Sequence, residues 1–257
     1  TNSPKVRYAR RCNVELLLSQ HDCECAYCSR SGNCSLQKIS NDLGITSLPY
    51  EKKVSYVTVA AMGRIVGELK KEIKVPFGVN IVSNPLATID LAAAVEADFV
   101  RSTFTGAYIG ENGITDTNIP EVLRRKKALG LDKMKLLYKV NPESDVYLAE
   151  RSLEKITKSM IFHCFPDGLC VSGSSAGQET DSSLVRRVKA VSGFVPVFCN
   201  TGCTKENVVE KLSECDGACV GTAFKKDGKF ENFVEKQRVM EFMDVVKAYR
   251  CTMKEGV

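Results

Sequence analysis

Residues 195–224 read VPVFCNTGCTKENVVEKLSECDGACVGTAF and contain one complete unit of the pattern from which the fold class follows. The unit begins with an apolar run, VPVFCN, passes through a polar turn into a helix-forming segment at 205–212, and ends in a second apolar run, GACVGTAF. Two apolar strands joined by a crossover helix form a βαβ unit, whose strands lie parallel in one sheet. This stretch therefore predicts an α/β fold.

The same alternation continues through most of the chain. The predicted strands are 75–82, 97–103, 133–140, 167–173, 195–200 and 217–224. The predicted helices are 57–73, 86–97, 120–129, 146–159, 183–191, 205–212 and 232–249. Near-continuous apolar strands are typical of a parallel sheet that is buried on both faces. A closed (β/α) barrel needs eight strands, so the predicted set is two strands short.

Composition limits the class of protein. The 257 residues are 44% hydrophobic and 26% charged, as in an ordinary globular protein, and no apolar run approaches the roughly 20 residues of a membrane span. The net charge of +5 is spread along the chain, which argues against a nucleic-acid partner. The N-terminal residues lack the long apolar stretch of a secretory signal, so we expect a cytoplasmic protein.

Cysteine is the most informative residue type, because five of the twelve cysteines fall within the first 34 residues. Three of them join a histidine in the pattern H-x3-C-x2-C-x5-C. The residues of this pattern are His21, Cys25, Cys28 and Cys34. Closely spaced thiolates on one loop can bind separate irons of an iron–sulfur cluster. A Cys3His set also suits zinc. The third interpretation is that the cysteines are free thiols that bind no metal. We divide the chain into this segment, 1–46, and an α/β unit, 47–257.

Residues 9–45, ARRCNVELLLSQHDCECAYCSRSGNCSLQKISNDLGI, resemble the His/Cys3 [4Fe–4S] segment of iron-only hydrogenases and of the large iron–sulfur subunit of respiratory complex I. The resemblance implies a small helical segment whose histidine and three cysteines ligate a [4Fe–4S] cluster. It further implies electron relay and a redox protein partner. Zinc remains the alternative cofactor. Cys23 is an extra thiol, and the cysteine motifs of a hydrogenase catalytic centre do not occur after residue 46.

Polar residues cluster where the predicted parallel strands end, which is where (β/α) barrels carry their chemistry. Glycine-rich turns after the last two strands are suited to binding phosphate through backbone N–H groups. The predicted ligand- and phosphate-binding residues are Asn80, Arg101, Ser172, Gly173, Asn200, Thr201, Gly202, Gly221 and Thr222. The alternative is that these turns are ordinary βα loops and that Arg101 pairs with Asp98.

The cysteines of the α/β unit have a simpler interpretation. Cys170, Cys199 and Cys219 lie on predicted strands, where cysteine is normally a small apolar side chain. Cys199 and Cys203 flank the predicted phosphate turn, which leaves a reactive thiol there as a secondary hypothesis.

Several segments of the α/β unit together resemble the BtpA/SgcQ family. They are 48–84, 97–114, 167–177, 195–208 and 216–230, in the family's order. The resemblance implies a (β/α) TIM-type barrel that lacks its first strands, because residue 47 corresponds to the end of the second strand. Two unpaired sheet edges would then favour association, so we expect a homo-oligomer. The family's acidic, lysine and histidine residues after the fifth strand are replaced by KVNPESD at 139–145, which leaves only Asn141, Glu143 and Asp145 as weak catalytic candidates.

The resulting hypothesis is a BtpA/SgcQ-like barrel that binds a small phosphorylated ligand, with an N-terminal [4Fe–4S] cluster for electron relay or structural support. No catalytic residue is assigned, and whether the protein is an enzyme stays open. One alternative is a non-catalytic assembly or biogenesis factor, of the kind that serves photosystems or metalloenzymes. The other is a fusion of a hydrogenase-like iron–sulfur segment with a barrel fragment, without a single coherent function.

Overall fold

The computed structural model describes residues 34–36, 39, 54–110, 113–175, 177–230 and 232–254. Its strands are β1 (Gly78–Val79), β2 (Phe99–Ser102), β3 (Ala107–Gly110), β4 (Gly113–Asp116), β5 (Lys135–Asn141), β6 (Val146–Tyr147), β7 (Gly168–Val171), β8 (Val197–Cys199) and β9 (Gly217–Ala218). Six of these form a parallel sheet in the order β1-β2-β5-β7-β8-β9. All six coincide with strands predicted from the sequence, and the α/β fold class is confirmed.

Helices connect the strands and cover the outer face of the sheet. They are α1 (Tyr56–Leu69), α2 (Pro85–Val95), α3 (Ile119–Ala128), α4 (Leu153–Cys164), α5 (Ser182–Lys189), α6 (Val208–Glu214) and α7 (Lys236–Lys254). Local sequence sets the ends of α2: the side chain of Asn84 accepts a hydrogen bond from the backbone N–H of Ala87 at 3.1 Å, and Pro85 occupies the first turn. The helix stops at Glu96, which adopts a left-handed φ of 53°.

The two faces of the parallel sheet differ in burial. Alternate strand residues on the outer face, such as Val100, Leu136 and Leu169, are at most 2% exposed and pack against the helices. On the inner, concave face, Phe99 and Phe198 are only half-buried. The prediction of a sheet buried on both faces is therefore right for β7 and wrong for β2, β5 and β8, because among the described residues no further strands close over the inner face.

A second sheet, which sequence reasoning missed, lies beside the first. Strand β3 pairs antiparallel with both β4 and β6, in the order β4-β3-β6. The predicted helix 146–159 is wrong over its first half, since Val146 pairs with Ile109 and the Leu148 N–H donates to Ala107 O at 2.9 Å. Helix α4 starts only after Ser152, whose hydroxyl accepts from the Lys155 N–H.

Over the described residues the architecture is an open (β/α) TIM-type barrel with six parallel strands, two fewer than the eight of a closed barrel. Strands β1 and β9 form the two edges of the parallel sheet, and in the described ranges they do not pair with each other. In the N-terminal segment only Cys34, Ser35, Leu36 and Ile39 are described, the last three as helical. No helix in the part of the chain that the structure covers has the length and apolar character needed to cross a bilayer.

Candidate functional site

A hydrogen-bonded polar cluster lies on the concave face at the carboxyl ends of the parallel strands. Arg101 on β2 donates from Nη1 to the side-chain oxygen of Asn200, which directly follows β8. The amide nitrogen of Asn200 in turn donates to Glu143 Oε1 at 2.8 Å and to Ser172 Oγ at 2.9 Å. The loop after β5 and the ends of β2, β7 and β8 are thus joined through one asparagine.

Glu143 also pairs with Lys139, which lies on β5. Lys139 Nζ is 2.6 Å from Glu143 Oε2, and both side chains are less than 20% exposed. Burial raises the pKa of Glu143, but the charge and hydrogen bond of Lys139, with Arg101 nearby, outweigh it and hold that pKa below its ordinary value. The carboxylate is therefore ionised at neutral pH and compensates one of the two cations.

Arg101 is the cation of this cluster that has no carboxylate partner among the described residues. It is half-buried, and no carboxylate in the described part of the chain lies within 4.0 Å of its guanidinium nitrogens. The alternative pairing with Asp98 does not form, because Asp98 Oδ2 instead accepts the Phe77 N–H at 2.9 Å. A partly desolvated guanidinium that donates to a neutral amide and has no carboxylate partner is suited to an incoming anion.

Asn80 stands beside Arg101 on the neighbouring strand. Val79 pairs in register with Val100, so Asn80, the next residue, is level with Arg101. The side-chain oxygen of Asn80 is buried and has no hydrogen-bond partner among the described residues. A buried acceptor without a donor is unfavourable by about 1–3 kcal/mol, and a ligand hydroxyl would remove that penalty.

These residues line a cavity of about 650 Å³. Its lining includes seven of the nine residues predicted from the sequence: Asn80, Arg101, Asn200, Thr201, Gly202, Gly221 and Thr222. The other two predicted residues, Ser172 and Gly173, lie behind the cavity surface. Ser172 is fully buried under Asn200, and the Gly173 N–H is already donated to Thr201 Oγ1 at 2.7 Å. Gly173 is therefore placed to support the loop, since its amide has a partner within the protein.

Gly202 fixes the course of the loop after β8. Its φ is +67°, a left-handed conformation in which a side chain is strained. A Cβ at this position would lie 2.2 Å from Glu179 Cα and 2.3 Å from the Gln178 backbone. The Glu179 side chain is held by Lys211, whose Nζ is 2.6 Å away. The loops after β7 and β8 therefore touch through backbone, which only glycine allows.

The thiols near the cavity are not equivalent. Cys199 and Cys203 are buried, and burial raises the pKa of both, that of Cys203 to about 12, so neither has the character of a reactive thiol. Cys203 and Cys219 both line the cavity, but Cys219 is only half-buried. The neighbouring Cys170 thiol and the positive charge of Arg101 lower the pKa of Cys219 to about 6, against the effect of burial.

Sequence reasoning missed the roles of Lys139 and Cys219. The sequence predicts Lys139 only as a strand residue, although it begins the segment 139–145 that contains the weak candidate Glu143. Cys219 was interpreted as an apolar side chain. The alternation of side chains along a strand indicates that Cys219 lies on the concave face. Gly217 pairs with Phe198 on that face, so the residues two positions further on, Cys219 and Asn200, lie on it as well.

The predicted metal ligands fall almost entirely outside the described residues. This is so for His21, Cys25 and Cys28, whereas Cys34 is described, as a half-buried free thiol. Within the described ranges no group of three or more His, Cys, Asp and Glu side chains is placed to hold a metal ion. The fit of a cluster therefore rests on donor chemistry: three thiolates and an imidazole suit iron–sulfur and zinc sites alike.

The chain belongs to the BtpA family, whose model matches residues 40–248. It is 45% identical over 221 residues to the sgc region protein SgcQ of Escherichia coli (strain K12), a match that covers 86% of this chain and 81% of that protein.

The N-terminal segment has relatives of a different kind. Residues 10–49 match the NADH-ubiquinone oxidoreductase-G iron-sulfur binding region. Over 51 residues the chain is 47% identical to the NADP-reducing hydrogenase subunit HndD of Solidesulfovibrio fructosivorans, a match that covers 20% of this chain and 9% of that subunit. The chain is thus similar to a short part of a much longer protein.

Among solved structures, the fold resembles a cube-shaped, highly porous protein cage designed by fusing symmetric oligomeric domains. The TM-score is 0.50 at 15% identity, with 76% of this chain and 60% of that chain covered. At this identity the likeness concerns the fold alone.

Proposed function

We propose that this BtpA-family chain binds a small phosphorylated ligand in the cavity on the concave face. The observation that carries the proposal is Arg101, a half-buried guanidinium that has no carboxylate within ion-pair distance among the described residues. A planar guanidinium offers paired N–H donors that match two phosphate oxygens. A phosphate bound there would supply the negative charge that the surrounding carboxylates do not supply to Arg101.

The charges around the cavity support an anionic ligand. Four cationic and three anionic side chains line it, and two of the carboxylates already have cationic partners: Glu143 pairs with Lys139, and Glu241 with Lys205 at 2.7 Å. Backbone at Gly202 and Gly221 borders the same space, and nothing lies within 4 Å of the position that a Cβ of Gly221 would take. Phosphate oxygens can therefore approach this backbone closely.

The unpaired oxygen of Asn80 extends the proposal from phosphate to a phosphate ester that carries a hydroxyl group. Asn80 is level with Arg101 on the adjacent strand. A ligand whose phosphate lies on Arg101 could donate a hydroxyl hydrogen to this acceptor, whereas inorganic phosphate could not fill both positions. A small polyhydroxylated phosphate ester is the ligand class that satisfies both.

We further propose that segment 1–46 is a separate unit from 47–257 and binds a [4Fe–4S] cluster through His21, Cys25, Cys28 and Cys34. The match of residues 10–49 to an iron–sulfur binding region supports this proposal. Such a cluster, when bound, would supply one-electron chemistry or a cross-link that orders the segment. Electron relay would need a redox protein partner.

The ligand proposal is tested by unfolding the protein in phosphate. A ligand at one hundred times its Kd stabilises the native state by about 2.7 kcal/mol, which corresponds to a rise in Tm of roughly 5–10 °C for a chain of this size. We expect inorganic phosphate to raise Tm relative to sodium chloride of equal ionic strength, and glycerol 3-phosphate to do so at lower concentration. Equal Tm values in phosphate and in chloride would contradict the proposal.

The cofactor proposal is tested by metal analysis of protein prepared without oxygen. We expect about four irons and four acid-labile sulfides per chain, with broad absorbance near 400 nm that dithionite bleaches. Cys28→Ser should remove most of this absorbance. Cys23→Ser is the matched control, because it removes a neighbouring thiol that is not one of the four, and it should leave the spectrum unchanged. Colourless protein with stoichiometric zinc would establish the alternative cofactor.

A further inference from the structure

We propose that the ligand of this cavity carries a second anionic group and that Arg238 binds it. The inference rests on the proposed function, since it adds a second charge to a ligand whose phosphate lies on Arg101. It narrows the ligand class to polyhydroxylated compounds with two separate anionic groups. Such compounds are bisphosphates or phosphate esters of carboxylic acids, and a guanidinium binds a phosphate or a carboxylate through the same paired N–H donors.

Arg238 is held by only one of its guanidinium nitrogens. It lies in the first turn of α7, is half-buried and lines the cavity. Its Nε donates to Ala223 O at 2.8 Å, whereas its two Nη nitrogens have no hydrogen-bond acceptor among the described residues. Nη2 lies 3.6 Å from the position that a Cβ of Gly228 would take, so the guanidinium stands beside open backbone. The Nε bond therefore orients the group and leaves both Nη nitrogens for a ligand.

The carboxylates that line the cavity do not form an ion pair with Arg238. Glu206 and Glu241 are near enough to interact with it electrostatically. In the described part of the chain, however, no carboxylate oxygen lies within 4.0 Å of its guanidinium nitrogens. Glu241 instead pairs with Lys205 at 2.7 Å and accepts from Gln237 Nε2 at 3.2 Å. The charge of Arg238 is therefore only partly compensated by these side chains.

The position of Arg238 in its helix is a second sign of an anionic partner. A helix N-terminus carries a partial positive charge, so a cation in the first turn is electrostatically unfavourable. The first turn of α7 contains Lys236 as well as Arg238 and has no acidic residue. Lys225, a buried residue of the same cavity wall, donates from Nζ to Phe230 O and lies 4.4 Å from the centre of the Phe230 ring. An anion bound at Arg238 would offset this concentration of positive charge.

Arg101 and Arg238 are thus two half-buried guanidinium groups in the wall of one cavity. They come from different elements, β2 and α7, and each donates to a neutral acceptor, the side-chain oxygen of Asn200 or the carbonyl of Ala223. A ligand with one phosphate would compensate only one of them. The cavity volume of about 650 Å³ is within the range of small-molecule sites, roughly 300–1,000 Å³, so it has room for a longer ligand with a second anionic group.

Calorimetric titration of the full chain with matched ligands tests the inference. Sorbitol 6-phosphate, sorbitol 1,6-bisphosphate and 6-phosphogluconate share one carbon chain and carry at carbon 1 a hydroxyl, a phosphate or a carboxylate. We expect at least one of the two doubly charged compounds to bind about tenfold to 150-fold more tightly than sorbitol 6-phosphate, as hydrogen bonds to a charged group contribute. The compound with the larger gain identifies the second group as phosphate or carboxylate. Glycerol 3-phosphate and 3-phosphoglycerate repeat the comparison with a shorter chain.

Two variants assign the gain to Arg238. Arg238→Met should reduce the advantage of the doubly charged compounds to less than about twofold and leave the Kd of sorbitol 6-phosphate nearly unchanged, with circular dichroism confirming the fold. Lys226→Met is the matched control, because Lys226 is an exposed cation near the same loop but outside the cavity lining. This variant should keep the full advantage, since an exposed charge is strongly screened.

The outcomes distinguish this inference from the proposed function. If the monophosphates bind but the second charge gives no gain that depends on Arg238 at either chain length, the inference is overturned and the proposed function stands. If Arg238→Met weakens sorbitol 6-phosphate as much as Arg101→Met does and the second charge gives no gain, both guanidinium groups hold one phosphate, and the inference is again overturned. If none of the compounds binds, the proposed function fails and the inference fails with it.

Discussion

Arg101→Met is expected to weaken the binding of glycerol 3-phosphate by about tenfold to 150-fold. Hydrogen bonds to charged groups contribute about 1.5–3 kcal/mol, which is about ten- to 150-fold in Kd. Methionine has a similar length but carries neither charge nor donor. Since Asn200 keeps its bonds to Glu143 and Ser172 in the variant, the loss should fall on the ligand and leave the fold intact.

Isothermal titration calorimetry measures this loss, with two variants as references. Arg124→Met removes one positive charge from an exposed position on α3 and should leave Kd within about twofold, because surface charges are strongly screened. Arg101→Lys keeps the charge but not the paired donors, and should bind with intermediate affinity. A Kd for Arg101→Met equal to that of Arg124→Met would show that the ligand does not lie on Arg101.

Gly202→Ala is expected to destabilise the fold by at least about 3 kcal/mol. A left-handed alanine is unfavourable by about 1–2 kcal/mol on its own. At Gly202 the new methyl would also overlap the backbone of Gln178 and Glu179, at 2.2–2.3 Å, and backbone cannot move aside as a flexible side chain can. A shift of the loop after β7 would in addition disturb the Lys211–Glu179 pair, so the penalty exceeds that of strain alone.

Gly130→Ala is the matched control for this prediction. Its φ of +68° is nearly that of Gly202, but nothing lies within 4 Å of its added Cβ. We expect a loss of about 1 kcal/mol, caused by backbone strain alone. Urea unfolding followed by circular dichroism gives both changes from the midpoints. Equal losses for the two variants would mean that the loop contact at Gly202 contributes nothing to stability.

Apolar strand segments made the parallel sheet predictable. The parallel strands place apolar residues such as Val100 and Leu136 on the face that the helices bury. These strands therefore appear in the sequence as apolar segments. The antiparallel sheet was missed because its strands are two to four residues long and partly exposed. In that sheet Val146 is 69% exposed, so its pairing with Ile109 depends on backbone hydrogen bonds, which side-chain periodicity does not report.

The candidate site was predictable in its position but not in its connections. The rule that ligands bind at carboxyl strand ends placed Arg101 and Asn200 on one surface. Asn200 also donates a hydrogen bond to Glu143, which lies 57 residues earlier in the chain. This contact depends on the path of the loop after β5, which no local sequence pattern specifies. The contrast between Cys199 and Cys219 arises likewise from tertiary neighbours, since both looked like small apolar strand residues.

The open order of the parallel sheet has a consequence for how the chain folds. In the parallel sheet, each described strand pairs with the parallel strand that comes next in the sequence. One of the longer sequence separations between paired residues is that of Phe99 and Lys135, which are 36 residues apart. Closing the barrel would require the edge strands β1 and β9 to pair, for example at Gly78 and Gly217, which are 139 residues apart in the sequence. Loop closure becomes less favourable by about 0.6 kcal/mol for each doubling of length, so such a pairing would add about 1.2 kcal/mol of lost chain entropy. Among the described strands, the sheet can therefore grow by adding one neighbouring strand at a time, and no folding step has to pair β1 with β9.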